Sequence, residues 1–136
     1  MKFKKQERLR GRTTFAKLFT KGRSFNLPPF RITWQLLPGI PANEEPVQAA
    51  FIVPKRNFKK AVHRNRIRRR MKEAYRLHKK SFRENHLRAG QKLLIAFYYT
   101  AREEKEYQEI ERKLIVTLQQ LAQETRKMNP DSSTSS

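Results

Sequence analysis

From Lys55 to Arg76 the chain reads K-R-N-F-K-K-A-V-H-R-N-R-I-R-R-R-M-K-E-A-Y-R. Ten lysines and arginines fall between Lys55 and Lys72 with no acidic residue among them. Like charges this close in sequence repel one another in any compact arrangement. Such a run is ordinarily a solvated face or a disordered arm. Here an apolar stripe runs through it. Ile67, Met71, Ala74 and His78 recur at i, i+4, i+7 and i+11, with Tyr75 and Leu77 flanking, and this spacing predicts a helix. Half a turn around that helix, at about 3.6 residues per turn, lie Asn65, Arg69, Lys72 and Arg76. The fold must therefore bury one side of a helix whose other side is densely cationic.

The repulsion on that face is relieved by a polyanion. Solubility alone asks for a net charge of only about 2–8, best with mixed signs, whereas this chain carries +20. Arginine outnumbers lysine from position 64 to 70. The planar guanidinium fork fits phosphate oxygens bidentately, so a nucleic-acid backbone is the expected partner. The chain has 136 residues, which suits one domain with a modest core. It has no cysteine, which excludes disulfides and thiolate metal sites. The first residues are charged without the apolar centre of a secretory signal. No apolar run reaches the roughly 20 residues that span a bilayer, so a cytoplasmic protein is expected.

Taken in order, the segment to Lys21 is basic, and F-A-K-L-F (15–19) has a short helical pattern. Thr13 or Thr14 is a candidate cap and Gly22 a candidate stop. Phe15 and Phe19, one turn apart and flanked by cations, are either core residues or a stacking platform for unpaired bases. Arg23–Leu27 reads as a short strand interrupted by Pro28-Pro29, hence an edge. Phe30, Ile32, Trp34 and Leu36 alternate on one face of a second strand, where Trp34 reads as a core residue ahead of a ligand contact. After a loop from Pro38 to Pro46, Val47, Ala49, Phe51 and Val53 mark a third, and the two are expected to pair as a hairpin. Ser81 to Gly90 is expected to connect the basic helix to Lys92–Tyr99, a nearly continuous apolar run that reads as a central strand. From about Glu103 a last helix is expected, with Tyr107, Ile110, Leu114, Leu118 and Leu121 at helical spacing and acids in its first turns. Residues 1–128 are expected to form one domain, and the Ser-rich segment 129–136 a disordered tail. The class is α+β, with a sheet of about four strands covered mainly on one side.

Catalytic groups are scarce. The one aspartate is Asp131, in the tail, and the three histidines, His63, His78 and His86, form no metal-binding pattern. No glycine-rich phosphate loop is present. His78 lies on the apolar stripe and is expected in the core.

The segment V-P-K-R (53–56) followed by A-V-H-R-N-R-I-R-R-R-M-K-E-A-Y-R (61–76) resembles the signature of the bacterial ribonuclease P protein subunit. Upstream, R-L-R (8–10) and F-A-K-L-F-T-K-G-R-S-F (15–25) resemble that family's first helix and following turn. The resemblance covers about residues 3 to 125. It implies the order α-β-β-β-α-β-α, a fold similar to the second domain of ribosomal protein S5, and a left-handed β-α-β crossover in place of the usual right-handed one. It also implies that the reaction, removal of the 5′ leader from precursor tRNA, is carried by a partner RNA that binds Mg2+, while the protein binds that RNA and the leader. On this resemblance Arg64, Asn65, Arg66, Arg68, Arg69, Lys72 and Arg76 meet the catalytic RNA. Phe15, Lys17 and Phe19 meet the precursor-tRNA leader, with Phe30 and Trp34 on the same cleft. Neither double-stranded DNA nor a membrane is an implied partner. Three positions depart from the family. N-F-K-K (57–60) replaces its usual glycine, with Asn57 supplying the turn; Pro28-Pro29 is unusual; and Thr33 stands where many members have an aromatic.

Composition by itself fits a second reading, a non-catalytic ribosomal or RNA-chaperone protein. Binding in a DNA major groove ranks third, since an arginine-rich face has little base-reading variety.

Overall fold

The structure, a computed structural model, describes residues 18–38, 47–86 and 91–127. Residues 18–21 are helical (α1). They are followed by strands β1 (Arg23–Leu27), β2 (Phe30–Pro38) and β3 (Val47–Ile52), helix α2 (Ala61–His86), strand β4 (Gln91–Tyr99) and helix α3 (Tyr107–Lys127). The strands form one mixed sheet in the order β1-β2-β4-β3.

The expected hairpin between the second and third strands does not form. β4 lies between them, antiparallel to β2 along all nine residues of both (Phe30 opposite Tyr99, Pro38 opposite Gln91) and parallel to β3. Hydrophobicity explains the order. Leu93, Ile95, Phe97 and Tyr99 on one face of β4 and Leu94 and Ala96 on the other are all buried, so this strand is stable only at the centre, with both faces covered. The segment between β2 and β3, residues 39–46, is also long for a hairpin turn. β3 instead reaches β4 through α2, as parallel strands require.

One face of the sheet holds the main core. Phe30, Ile32 and Trp34 of β2 join Val47, Ala49 and Phe51 of β3 and the odd-numbered side chains of β4. Over them α2 lays Ile67, Met71, Ala74, Tyr75 and Phe82, and α3 lays Ile110, Leu114, Leu118, Leu121 and Ala122. Phe51 and Phe97, directly paired across β3 and β4, stack with centroids 5.1 Å apart and planes at 9°. Tyr75 meets both rings edgewise or tilted, at 5.6 and 5.7 Å, the offset and angled arrangements that aromatic quadrupoles favour. This triad fixes α2 against the sheet and so determines which side of the helix faces outward.

The opposite face is covered more lightly. Leu18 of α1 packs on Leu94 and Ala96, with Leu37, Ala50 and Ile52 partly buried beside them. Gly22 closes α1 by donating its N–H to the Leu18 carbonyl at 2.8 Å. A Cβ at this position would collide with the main-chain oxygens of Leu18 and Trp34, so the close approach of α1 to β2 requires glycine.

Two element boundaries differ from expectation. α2 does not stop near Ser81 but runs to His86. Phe82, four residues beyond His78, extends the apolar stripe into the core, and no proline or glycine interrupts it. α3 begins at Tyr107, not Glu103, so of the acids expected in its first turns only Glu109 stands in the first one. Glu103 and Glu104 lie instead on the connection from β4. The tail expected over 129–136, the loop from 39 to 46 and the turn at Gly90 lie outside the described residues.

Candidate nucleic-acid interface

α2 starts after a turn in which the Asn57 N–H donates to the Pro54 carbonyl at 3.2 Å, placing Asn57 at the closing position of the turn. Its first turn contains no acidic residue, so nothing in the helix offsets the positive end of its dipole, and an anion is favoured there. The structure then divides the cations of α2 between Arg64 and Arg76 into three groups.

Arg64 turns back towards the preceding loop. Its Nη1 donates to the carbonyls of Phe58 at 2.7 Å and Lys59 at 2.9 Å. It secures the approach to the helix, with part of its fork already used.

A second group faces the β4–α3 connection. Arg66 pairs with Glu104 through Nε and, at 3.0 Å, through Nη2. Arg70 reaches the same carboxylate at 3.1 Å and donates to the Lys105 carbonyl at 2.6 Å. His63 Nδ1 lies 3.2 Å from Glu104. The hydrogen bond from Arg66 holds the Glu104 carboxyl below the usual carboxylate range; partial desolvation opposes this, and the His63 contact adds to it. Nearby, the Tyr99 hydroxyl donates to the Glu103 carbonyl at 2.6 Å and accepts the Lys105 N–H at 3.0 Å, which fixes the connection that carries Glu104.

The third group is the outward strip. Asn65 and Arg69 are exposed, and Arg68, Lys72 and Arg76 are half-buried along the same side. Arg68 spans from the Phe51 carbonyl (3.3 Å) to Asn65 Oδ1 (2.8 Å), and Arg76 is paired with Glu73 in a fork of 2.7 and 2.8 Å. Arg69 has no side-chain partner among the described residues. Of the seven residues expected to meet RNA, five thus share a strip, Arg64 secures a loop and Arg66 is held by a carboxylate.

The expected leader residues divide differently. Phe30 and Trp34 are 0% and 1% exposed, on the sheet face covered by α2 and α3 and away from α1. This corrects the cleft role that the resemblance implies and agrees with the reading of Trp34 as a core residue: both rings are core, and they offer no surface to a ligand. Phe19, next to the buried Leu18, is 51% exposed. Phe15 and Lys17 lie outside the described residues. Thr33 faces the same side as Leu18 and contacts Ser24 Oγ at 3.1 Å across the β1–β2 pair.

His78, expected in the core, is half-buried at the α2–α3 contact, with Nε2 3.1 Å from Glu111. Glu104 is the participant that local sequence reasoning missed. It lies 38 and 34 positions from the arginines it binds, and only the acidic pair Glu103-Glu104 after an apolar strand hinted at it. Among the described residues, no three His, Asp or Glu side chains gather into a metal-binding group. Glu104, the most enclosed acid of this surface, already serves cations.

A mixed four-stranded sheet backed by two helices, one of them presenting a cationic strip, defines an α+β domain with a strongly basic helix face. Comparison with known proteins narrows the class. The family model described as Ribonuclease P matches residues 3–122. The chain is 30% identical over 118 residues to the ribonuclease P protein component of Porphyromonas gingivalis, spanning 87% of this chain and 85% of that one. Its fold resembles the Staphylococcus aureus RNase P protein (TM-score 0.61, 19% identity, 83% of this chain and 93% of that one). It resembles the Thermotoga maritima RNase P protein equally (TM-score 0.61, 21% identity, 84% and 96%). The chain belongs to the ribonuclease P protein family, the protein subunits of the ribonuclease P holoenzyme.

Proposed function

We propose that this subunit binds the catalytic RNA of ribonuclease P through the outward strip of α2 and the 5′ leader of precursor tRNA through the sheet face beside α1. The observation that carries the reading is the strip itself. Arg69 stands exposed between Arg68, Lys72 and Arg76 on the outward side, whereas Arg64 turns to the loop before α2 and Arg66 and Arg70 turn to the β4–α3 connection. Phosphates spaced along an RNA backbone match cations repeating every turn of a helix, and their neutralisation supplies most of the affinity. Such contacts fix register without reading sequence, as suits a protein whose target is one folded RNA.

A second set of features supports the leader reading. Leu18 anchors α1 on Leu94 and Ala96, and its neighbour Phe19 projects from the same helix. An unpaired base stacks on an aromatic ring with about 1–3 kcal/mol. The protein would thereby help distinguish precursor from product, because mature tRNA lacks the leader. Mg2+ belongs, in this reading, to the partner RNA: the carboxylate of Glu104 is bound by two guanidiniums, and a hard cation needs free oxygens. Side chains of this protein position RNA and take no part in bond cleavage. The setting is cytoplasmic, where precursor tRNA is made; among the described residues no helix is long and apolar enough to cross a membrane.

Phe19→Ala tests the leader contact. Because the ring is half exposed, truncation should cost only about 1 kcal/mol of stability. In the assembled complex we expect precursor tRNA to bind several-fold more weakly and mature tRNA with unchanged affinity. Equal losses for both, or none, would show that Phe19 does not contact the leader.

A further inference from the structure

Strand pairing fixes what the sheet offers on the face beside α1. Residues paired across neighbouring strands share a face and form rows. One row is Ser24, Thr33, Ala96 and Ala50; the next, towards the Pro28-Pro29 turn, is Asn26, Arg31, Tyr98 and Ile52. The middle of the first row is closed: Leu18 packs on Ala96, and Thr33 is 7% exposed. The second row is open, with Asn26 and Arg31 exposed and Tyr98 and Ile52 half-buried. The two tyrosines that end β4 show the contrast between the faces. Tyr99, on the helix face, is buried, and its hydroxyl both donates and accepts a hydrogen bond. Tyr98 belongs to neither core cluster, and its ring and hydroxyl have no partner among the described residues. Arg31, directly opposite on β2, has no ion pair among them either. A half-covered ring beside an unengaged guanidinium, on a chain of net charge +20, suits an unpaired nucleotide. Its base stacks on the ring, as bases do on aromatics carried by an open sheet face, and its phosphate meets the guanidinium fork.

We propose that Tyr98 stacks on one base of the precursor-tRNA leader while Arg31 holds an adjoining phosphate, so that the leader crosses β2 and β4 along this row. This rests on the reading that the leader lies on the sheet face beside α1. It adds a second nucleotide position to the one served by Phe19, because the two rings stand on different elements, α1 and β4. Both residues bind substrate and take no part in the chemistry.

The test measures affinity of the assembled complex for precursor tRNA, for mature tRNA, and for precursors carrying one abasic nucleotide at each leader position in turn. Tyr98→Ile suits a strand and keeps apolar cover beside Ile52 but removes the ring. It should weaken precursor binding by about tenfold and leave mature tRNA unchanged. Tyr98→Phe retains the ring and should restore wild-type affinity. At one leader position, an abasic nucleotide should weaken the wild type by a similar factor and have no further effect on Tyr98→Ile. Phe19→Ala should remain sensitive at that position. Arg31→Gln should flatten the slope of log K against log salt by about 0.7 for precursor and not for mature tRNA; its exposed side chain lets it decide the question even if Tyr98→Ile does not fold. The proposal is overturned if Tyr98→Ile weakens both tRNAs alike or neither, if it stays sensitive at every position where the wild type is, or if Arg31→Gln leaves the precursor slope unchanged. Phe19→Ala separates the two levels. If it selectively weakens precursor while Tyr98→Ile does not, only the role of this row fails. If neither variant shifts precursor against mature tRNA, the leader does not lie on this face.

Discussion

Replacing Arg69 and Lys72 together by alanine is expected to weaken binding of the ribonuclease P RNA by about a hundredfold, with the fold intact. Each hydrogen bond to a charged partner contributes about 1.5–3 kcal/mol, and about 1.4 kcal/mol corresponds to tenfold in affinity. The slope of log K against log salt should flatten by about 0.9 for each duplex phosphate that the protein no longer neutralises. Folding should survive because Arg69 is exposed and neither side chain belongs to the core. Alanine is also the better helix former, and removing two like charges relieves repulsion on α2. The checks are a filter-binding titration across salt concentrations and a thermal melt of the free protein. Unchanged affinity and slope in a folded variant would remove the strip from the RNA interface.

Trp34→Ala should act in the opposite way, destroying stability without touching recognition directly. The ring is 1% exposed between sheet and helices, in the cluster that includes Ile67, Phe97 and Leu114. Truncating a buried tryptophan costs about 3–5 kcal/mol, a large share of the roughly 5–15 kcal/mol that holds a domain of this kind together. The Trp34 Nε1–H is buried without a hydrogen-bond partner among the described residues, so the contribution of the indole there is its apolar area and shape. Urea unfolding followed by circular dichroism measures the loss. A variant that keeps its stability yet loses affinity for precursor tRNA would restore Trp34 to the leader surface. The contrast with Phe19→Ala, expected to cost only about 1 kcal/mol, separates core from ligand-facing rings among the chain's aromatics.

The two aromatics show what the sequence could and could not reveal. Alternation along β2 correctly puts Phe30, Ile32, Trp34 and Leu36 on one face. Which face the helices cover is settled by packing at a distance, so a strand pattern alone cannot distinguish a core face from a ligand face. Helical periodicity is more informative: Ile67, Met71 and Ala74 of α2 and Ile110, Leu114, Leu118 and Leu121 of α3 are buried as their 3–4 spacing predicts, because a helix covered on one side must repeat this way, while His78 and Tyr107 at the edges of the two stripes are only partly covered. Strand positions were legible as well, but their order was not. Val47–Ile52 and Phe30–Pro38 are neighbours in sequence and look like a hairpin, yet β4 separates them. The clue was present in Lys92–Tyr99, whose apolar residues on both faces demand a central position. Ion pairing was the least visible feature. The partition of α2 cations depends on Glu104, and nothing in the local pattern around Arg66 or Arg70 indicates a carboxylate 38 and 34 positions later. The family resemblance correctly gave fold and membership, while its residue-by-residue transfer placed Arg66 and Arg69 together although the structure gives them different surroundings.

The central claim is that this chain serves ribonuclease P by holding RNA and leaves the chemistry to its partner. Reconstitution tests it most directly: single-turnover cleavage of a precursor tRNA is measured at low magnesium with the ribonuclease P RNA, with and without the protein, and with the protein freed of RNA. The account predicts efficient removal of the leader only when both are present, slow cleavage by the RNA alone that recovers at high magnesium, and no product from the protein alone. Cleavage by the RNA-free protein, or no stimulation of the RNA by a folded protein, would contradict it.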